Sequence, residues 1–283
     1  MKIIYFDIDG TLRDENTGVS EKTKYAIAEC RKNGIKTVIC TGRNPGSVQQ
    51  DVLELDMDGG IYSSGCLIEF QKQSLQKVAF SEKLIQKIIE EQKQQKEQGL
   101  VIETEKQVYM NQKASEIYME LFIQKTGGLT EAEREEIKRK NHFLYENNME
   151  SFHLKCEKVY KICFTGNETA LLERQEEMKE KSDIVQLIPF GKEWLLECAP
   201  KRCNKGTAVS QLNHFLDIEK EESMSFGDGK NDMELLLATG TGIAMQDGCE
   251  DLKKVAATVC GTVQKDGIYY ELVKRKIIKE KRA

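Results

Sequence analysis

The residues Lys2-Ile3-Ile4-Tyr5-Phe6-Asp7-Ile8-Asp9-Gly10-Thr11-Leu12 set a run of β-formers directly before two carboxylates one residue apart, then a glycine. Such a run reads as a buried strand ending in a polar turn. That junction constrains the fold more than any other stretch, because ligands of open α/β sheets bind outside the carboxyl ends of the strands. Alternation along an extended chain points Asp7 and Asp9 the same way, and Gly10 lets the backbone close around whatever they hold. A calcium loop of the EF-hand kind fits less well, since its glycine comes sixth after an amphipathic helix. Here the glycine is fourth and a strand leads in. A second copy of the string, Asp56-Met57-Asp58-Gly59, follows Val48, Val52 and Leu55 at helical spacing and reads as a helix-ending loop.

Beyond the first turn, Val19, Thr23, Ala26, Ile27 and Cys30 recur at helical spacing, with Ser20 as a start cap and Gly34 as a stop. Residues 35–40 follow as a second strand. Strand, helix and strand form a βαβ unit, which makes the strands parallel and brings Asp7 and Thr41 to one sheet edge. Thr41-Gly42-Arg43 then faces the aspartates. A hydroxyl, a glycine N–H and a guanidinium suit an oxyanion such as phosphate. A strand-to-helix turn capped by Thr41 and Asn44 accounts for the same residues equally well.

The pattern predicts a helix over 48–55, a strand over 60–65 with a Gly/Ser-rich end, and paired strands at 67–70 and 77–80. From Ser81 to about Phe190 Lys, Glu and Gln dominate. Helical spacing at 84–89, strands at 100–103 and 107–110, helices at 115–125 and 168–181, and strands at 159–164 and 184–188 indicate a second α/β unit inserted into the first. The run Glu131 to Glu136 reads as a solvated helical face. A strand at 194–198 precedes a helix that starts at Lys205 and carries Ala208, Val209, Leu212 and Leu216; a lysine there is equally readable as merely exposed. A strand at 223–226 runs into Gly227-Asp228-Gly229-Lys230-Asn231-Asp232, and a helix begins at Met233. Asp228 and Asp232 can face one point at that helix start, and glycine permits close approach of backbone and ion. A plain turn with a capping aspartate is the other reading. Strands at 242–245 and 257–260 close the pattern, and the basic tail from Lys274 reads as a solvated helix end.

A chain of 283 residues holds one large or two modest domains. The fold class expected is α/β: a Rossmann-like parallel-sheet core of residues 1–82 and 191–283 with an inserted α/β cap over 83–190. With Lys+Arg 42 against Asp+Glu 47, the formal net charge of -5 gives no support for a nucleic-acid surface. No apolar stretch approaches the roughly 18 to 20 residues that span a bilayer, and no basic, apolar leader precedes the first strand, so a cytoplasmic protein without membrane partners is expected. The nine cysteines form no Cys-x-x-Cys and no zinc-like pairing with His142, His153 and His214, to which no role is given. Cys40, Cys163, Cys198 and Cys260 lie in apolar runs and are expected as reduced, buried thiols.

Four sequence-distant elements converge: Asp7 and Asp9, Thr41, Lys205, and Asp228 with Asp232. Their order and contexts resemble the haloacid dehalogenase superfamily of aspartate-nucleophile phosphohydrolases. DxDGTL, a strand ending in Thr-Gly-Arg, a helix-start Lys-Gly and GDGKND each stand where that resemblance requires, over the whole chain. The insertion looks like the cap of the Cof-type subgroup. One position departs from it: the subgroup has asparagine before the glycine that ends the third strand, and this chain has Ser64. The resemblance implies a magnesium-dependent phosphatase acting on sugar phosphates or similar small metabolites through an aspartyl-phosphate. Asp7 would be nucleophile and metal ligand, and Asp9 the acid and base as well as a ligand through its backbone carbonyl. Asp228 and Asp232 would complete the Mg2+ site, Asp232 as an outer ligand or orienter. Thr41, Gly42, Arg43 and Lys205 would hold the phosphoryl oxygens, and Asn231 would touch substrate or fix Asp228. A cation is required because a carboxylate attacking a phosphate dianion meets like charge. A phosphomutase of the same superfamily is the runner-up, and a non-catalytic metal- or phosphate-binding protein a remote alternative. Substrate identity and oligomeric state are not readable.

Overall fold

The first segment, Ile3–Phe6 (β1), is buried on both faces, and its neighbours show why it reads as a continuous apolar run rather than an alternating one. The structure is a computed structural model that describes residues 1–140 and 147–281, with 137–140 as backbone only; His142 lies outside the described residues. After β1 come α1 (Glu21–Lys32), β2 (Lys36–Cys40), α2 (Gln50–Leu53), β3 (Gly59–Tyr62), β4 (Leu67–Phe70), β5 (Gln73–Lys77) and α3 (Glu82–Gln92). Then follow β6 (Gly99–Glu103), β7 (Val108–Met110), α4 (Gln112–Lys125), α5 (Glu131–Lys140), β8 (Lys161–Gly166), α6 (Glu168–Met178), β9 (Ser182–Phe190) and β10 (Glu193–Pro200). The chain ends with α7 (Lys205–Phe215), β11 (Ser223–Gly227), α8 (Met233–Ala238), β12 (Thr241–Ala244), α9 (Glu250–Val255), β13 (Thr258–Val259) and α10 (Gly267–Lys274).

Two compact units emerge. The first comprises Met1–Arg43, Val48–Lys77 and Cys203–Ala283. Its sheet runs β13-β12-β11-β1-β2-β3-β4-β5, parallel from β13 to β3 and antiparallel beyond. Residues of α1 and α10 such as Ala26, Ile27, Ile268 and Leu272 pack with Ile4 and Phe6 on one face. Ala208, Val209, Leu235 and Leu252, from α7, α8 and α9, pack with Ile3 and Tyr5 on the other. Phe6 stacks on Phe226 with ring centroids 5.4 Å apart, which locks β1 to β11. Ser20 caps α1 by accepting from the Thr23 N–H, and Gly34 follows at φ 77°, as the spacing predicts. The α/β class with a parallel-rich sheet agrees with the sequence reading.

The second unit comprises Asn44–Ser47 and Val78–Arg202. Its sheet, β7-β6-β8-β10-β9, is antiparallel throughout. Ile85, Ile88, Leu171 and Met178 of α3 and α6 cover one face, and Ala114 of α4 lies on the other. On the α4 side Lys161 is buried between Glu103 (2.9 Å) and Glu197 (3.2 Å). Glu131 to Glu133 of α5 are exposed, in keeping with a solvated face.

Several expectations are corrected. The strand at 194–198 belongs to the second sheet as β10, between β8 and β9, and not to the core segment starting at 191. The strand expected at 77–80 is β5, four residues earlier, because Gln71 and Lys72 both take positive φ and close a tight hairpin. The helix over 48–55 shrinks to the four residues of α2, preceded by a 3-10 turn at Pro45–Ser47. The third strand stops at Tyr62. The short helix α9 has no counterpart in the sequence reading, being only six residues long and too short to show a periodic pattern, whereas α10 ends at Lys274, where the basic tail reads as a helix end.

Burial would lower the Lys161 pKa, but Glu103 and Glu197 more than offset this and hold it well above its usual value. The stability that follows is fully present below the unfolded value near about 10.4 and is lost only as pH rises through the higher folded one. Lys161→Met leaves two buried carboxylates uncompensated, so it should destabilise the protein by about 3 to 5 kcal/mol at neutral pH. Denaturant melts check this, and the deficit against the wild type should narrow only in strongly alkaline buffer.

Candidate active site

Asp7 directly follows β1, and the N–H of Asp7 donates to the Phe226 carbonyl (3.1 Å), so the end of β1 is tied to that of β11. β2 lies on the other side, and Thr41 follows it as the βαβ argument requires. Three strand ends therefore deliver Asp7, Thr41 and Asp228 to one edge. The start of α7 adds Lys205. Asn204 caps that helix by accepting from the Thr207 N–H (2.8 Å), which fixes where Lys205 begins its reach.

Lys205 is buried, not exposed. Its Nζ donates to Asp7 Oδ1 at 2.6 Å and to Asp232 Oδ1. Burial would lower its pKa, but the Asp232 and Asp7 carboxylates raise it instead, so the ammonium is held charged. Asp232 Oδ2 accepts from the N–H groups of Asp228 (3.1 Å) and Gly229 (3.0 Å). Asp228 Oδ1 in turn accepts from the Thr11 hydroxyl at 3.1 Å. Gly10, at φ 82°, must be glycine: a Cβ there would stand 2.4 Å from Asp228 Oδ2.

One oxygen from each of Asp7, Asp228 and Asp232 lies within 4.8 Å of the others. Burial, then the charge of Asp232, pushes Asp7 well above the ordinary carboxylate value against the pull of Lys205. Burial and Asp232 likewise push Asp228 up to about 7. When all three are ionised, the carboxylates exceed the one ammonium by two negative charges, a set of hard oxygens that fits a small divalent cation. Both Asp232 oxygens are already engaged by Lys205 and by backbone N–H groups, which suits it to orienting the cluster.

Asp9 departs from expectation. The sequence reading leaves its carboxyl free to carry a proton, whereas Arg43 grips it in a two-point ion pair, Nε to Oδ2 at 2.6 Å and Nη2 to Oδ1 at 2.9 Å. Burial raises the Asp9 pKa, but the bonds and charge of Arg43, helped by Arg13 and Gln49, bring it below the usual carboxylate range. Arg43 is thus committed to Asp9. The Thr41 hydroxyl accepts from the Arg43 N–H (3.1 Å), which closes the turn after β2. Gly42 forms the bend between them. Asn231 makes no hydrogen bond to Asp228 among the described residues; Thr11 does that work. The other DxDG string lies at the opposite sheet edge, where Asp58 accepts from the N–H and hydroxyl of Thr37 at the start of β2. Thr11, Gln49 and Arg13 are the site residues that the sequence reading missed. Only Thr11 carried a signal, as the residue after DxDG.

A family model described as haloacid dehalogenase-like hydrolase matches residues 4–272. The chain belongs to that family. A phosphoric monoester hydrolase of haloacid dehalogenase type is therefore the enzyme class of this chain. The chain is 24% identical over 283 residues to a 5-amino-6-(5-phospho-D-ribitylamino)uracil phosphatase of Bacillus subtilis, covering 95% of this chain and 96% of that one. A solved protein of Geobacillus kaustophilus HTA426 superposes with a TM-score of 0.80 at 23% identity, covering 98% and 99%. A solved sugar phosphatase of haloacid dehalogenase subclass IIB does so at 0.78 and 23%, covering 98% and 100%. These likenesses show the haloacid dehalogenase fold. Among the described residues no helix is long and apolar enough to cross a membrane.

The Asp9–Arg43 pair makes a pH prediction. A carboxylate with a depressed folded pKa stabilises above its unfolded value, and that contribution disappears as pH falls through the folded one. Arg43→Gln should therefore raise the Asp9 pKa, read by carboxyl 13C titration, and the stability gap from the wild type should close as pH drops below about 4.

Proposed function

We propose that this haloacid dehalogenase-like hydrolase is a magnesium-dependent phosphatase of small phosphorylated metabolites, sugar phosphates among them, working through an aspartyl-phosphate on Asp7. The observation that carries this reading is the Asp7 carboxylate: Lys205 holds Oδ1, while no donor among the described residues engages Oδ2. A nucleophile needs this pairing of one fixed and one free oxygen. The phosphatase names of the relatives support the substrate class, a ribityl phosphate for the Bacillus subtilis protein and HMP-PP for a Yersinia pseudotuberculosis protein 30% identical over 115 residues, 42% of that chain.

Asp7, Asp228 and the Asp9 carbonyl would hold Mg2+, with Asp232 orienting them. When bound, the ion would neutralise the two surplus charges and screen nucleophile from phosphate. Asp7 Oδ2 attacks phosphorus, and the ester P–O bond breaks. Asp9, once released by Arg43, takes up a proton from solvent and gives it to the departing oxygen, then takes one from the water that cleaves the acyl phosphate and frees Asp7. For that, Arg43 must leave Asp9, and the phosphoryl oxygens, held also by Thr41, the Gly42 N–H and Lys205, are the competing anion that draws it away. Asn231 would meet substrate. All of these residues lie in the first unit. The second unit is read as the inserted, substrate-selecting cap.

Asp7→Asn should reduce release of phosphate from a small aryl phosphate by at least about 10³-fold. Asp58→Asn should change it less than about twofold, since an amide oxygen still accepts from Thr37. Equal loss in both variants would assign the chemistry to the wrong string. Product analysis on sugar phosphates separates the reading from a mutase, which would return an isomerised sugar phosphate.

Excess chelator should abolish turnover and magnesium restore it. Because a ligand must be deprotonated to bind, magnesium affinity should rise as pH increases through the Asp228 value of about 7. Titration of metal-free protein at pH 5.5 and 8 measures this, and equal affinity at both would remove Asp228 from the ligand set.

A further inference from the structure

The strand β3 is followed by two consecutive residues, Ser63 and Ser64, at φ 48° and 57°, a left-handed conformation that residues other than glycine avoid. Both serines are buried, and neither hydroxyl has a hydrogen-bond partner among the described residues. Two costs therefore coincide: strained backbone, and polar oxygens withdrawn from water with nothing to bond. Glycine at either position would relieve both.

The surroundings indicate what the turn serves. The Ser64 N–H donates to the Thr41 carbonyl (3.1 Å), and the Ser63 N–H to the Arg43 carbonyl (2.8 Å). The turn is thus bonded to the loop that the proposed mechanism assigns to the phosphoryl group. On its other side Gly65, at φ 100°, packs so close to the Asn204 carbonyl that a Cβ would lie 2.3 Å away. Asn204 is the cap of α7, and the next residue is Lys205. The strained turn is wedged between the Thr41–Arg43 loop and the helix start that delivers the ammonium to Asp7. A hydroxyl held beside such a loop can donate to an anionic oxygen, and a hydrogen bond to a charged acceptor is stronger than one between neutral groups.

We propose that Ser63 and Ser64 are phosphate-contacting residues whose hydroxyls donate to the phosphoryl oxygens of bound substrate, so that the ligand completes the bonds the free protein lacks. This rests on the phosphatase reading and deepens it, by giving the departure at Ser64 from the family pattern a direct role in binding.

The test compares the wild type with Ser63→Ala/Ser64→Ala and Ser63→Gly/Ser64→Gly in the full chain, using inorganic phosphate as the probe. The glycine pair removes both hydroxyls and the strain together, so it should melt at or above the wild-type temperature and stay folded even if the alanine pair does not. Phosphate affinity by calorimetric titration should fall at least about tenfold in the glycine pair. KM for a small aryl phosphate should rise with it. Wild-type phosphate affinity in the folded glycine pair would overturn the proposal, as would a KM rise confined to sugar phosphates with the phosphate affinity intact, which would assign the hydroxyls to the leaving group. If the wild-type protein releases no phosphate from any ester, the phosphatase reading fails, while the phosphate titration still judges the turn.

Discussion

The buried ammonium of Lys205 is the interaction on which the site depends. It lies between Asp7 and Asp232, and without it three carboxylates would share one dry corner with no cation among them. Burying a charge is tolerated only with partners in place, and here each partner is also fixed elsewhere. Asp7 is tied through its backbone to β11, and Asp232 through its other oxygen to the N–H groups of Asp228 and Gly229. The lysine thus closes a ring of bonds joining residues from both ends of the chain. It leaves a residual negative charge of two, enough to favour a divalent cation and too little to break the cluster apart.

That arrangement was largely legible in the sequence because its parts sit at strand ends and helix starts, where spacing fixes direction. Asp7 and Thr41 share an edge through the βαβ rule alone, and the glycines around Asp228 announce a tight approach. What could not be read is which polar groups find each other across space. Nothing in the spacing of Asp9 and Arg43 says that they form a two-point pair, and nothing in Asp228 says that Thr11 will support it. Gln49 reaches Asp9 from just before α2, a helix that periodicity made twice too long. In the second unit the strand at Glu193–Pro200 looked like a return to the core because it is apolar and follows a polar stretch. Its pairing with β8 and β9 is a matter of partner choice, which hydrophobic pattern does not encode.

The Asp9–Arg43 pair changes how the site's charges are understood. Burial alone would raise the Asp9 carboxyl above its ordinary value. Held by a guanidinium it stays ionised, below the usual carboxylate range. In the proposed mechanism Arg43 would couple arrival of an anion to readiness of the acid, a form of substrate gating that needs no moving lid.

The order of strands has a consequence for synthesis. Ile3 pairs with Ser223, so β1 has its β2 partner early but waits for β11 until 220 more residues have been made. At about 5 to 20 residues per second that is roughly 11 to 44 s. During that time one apolar edge of the central strand, Phe6 included, is open on the ribosome, and the Asp7 carboxylate has no lysine beside it. The nascent chain in this interval is a candidate client for holding chaperones, and the stacking of Phe6 on Phe226 is the event that ends its exposure.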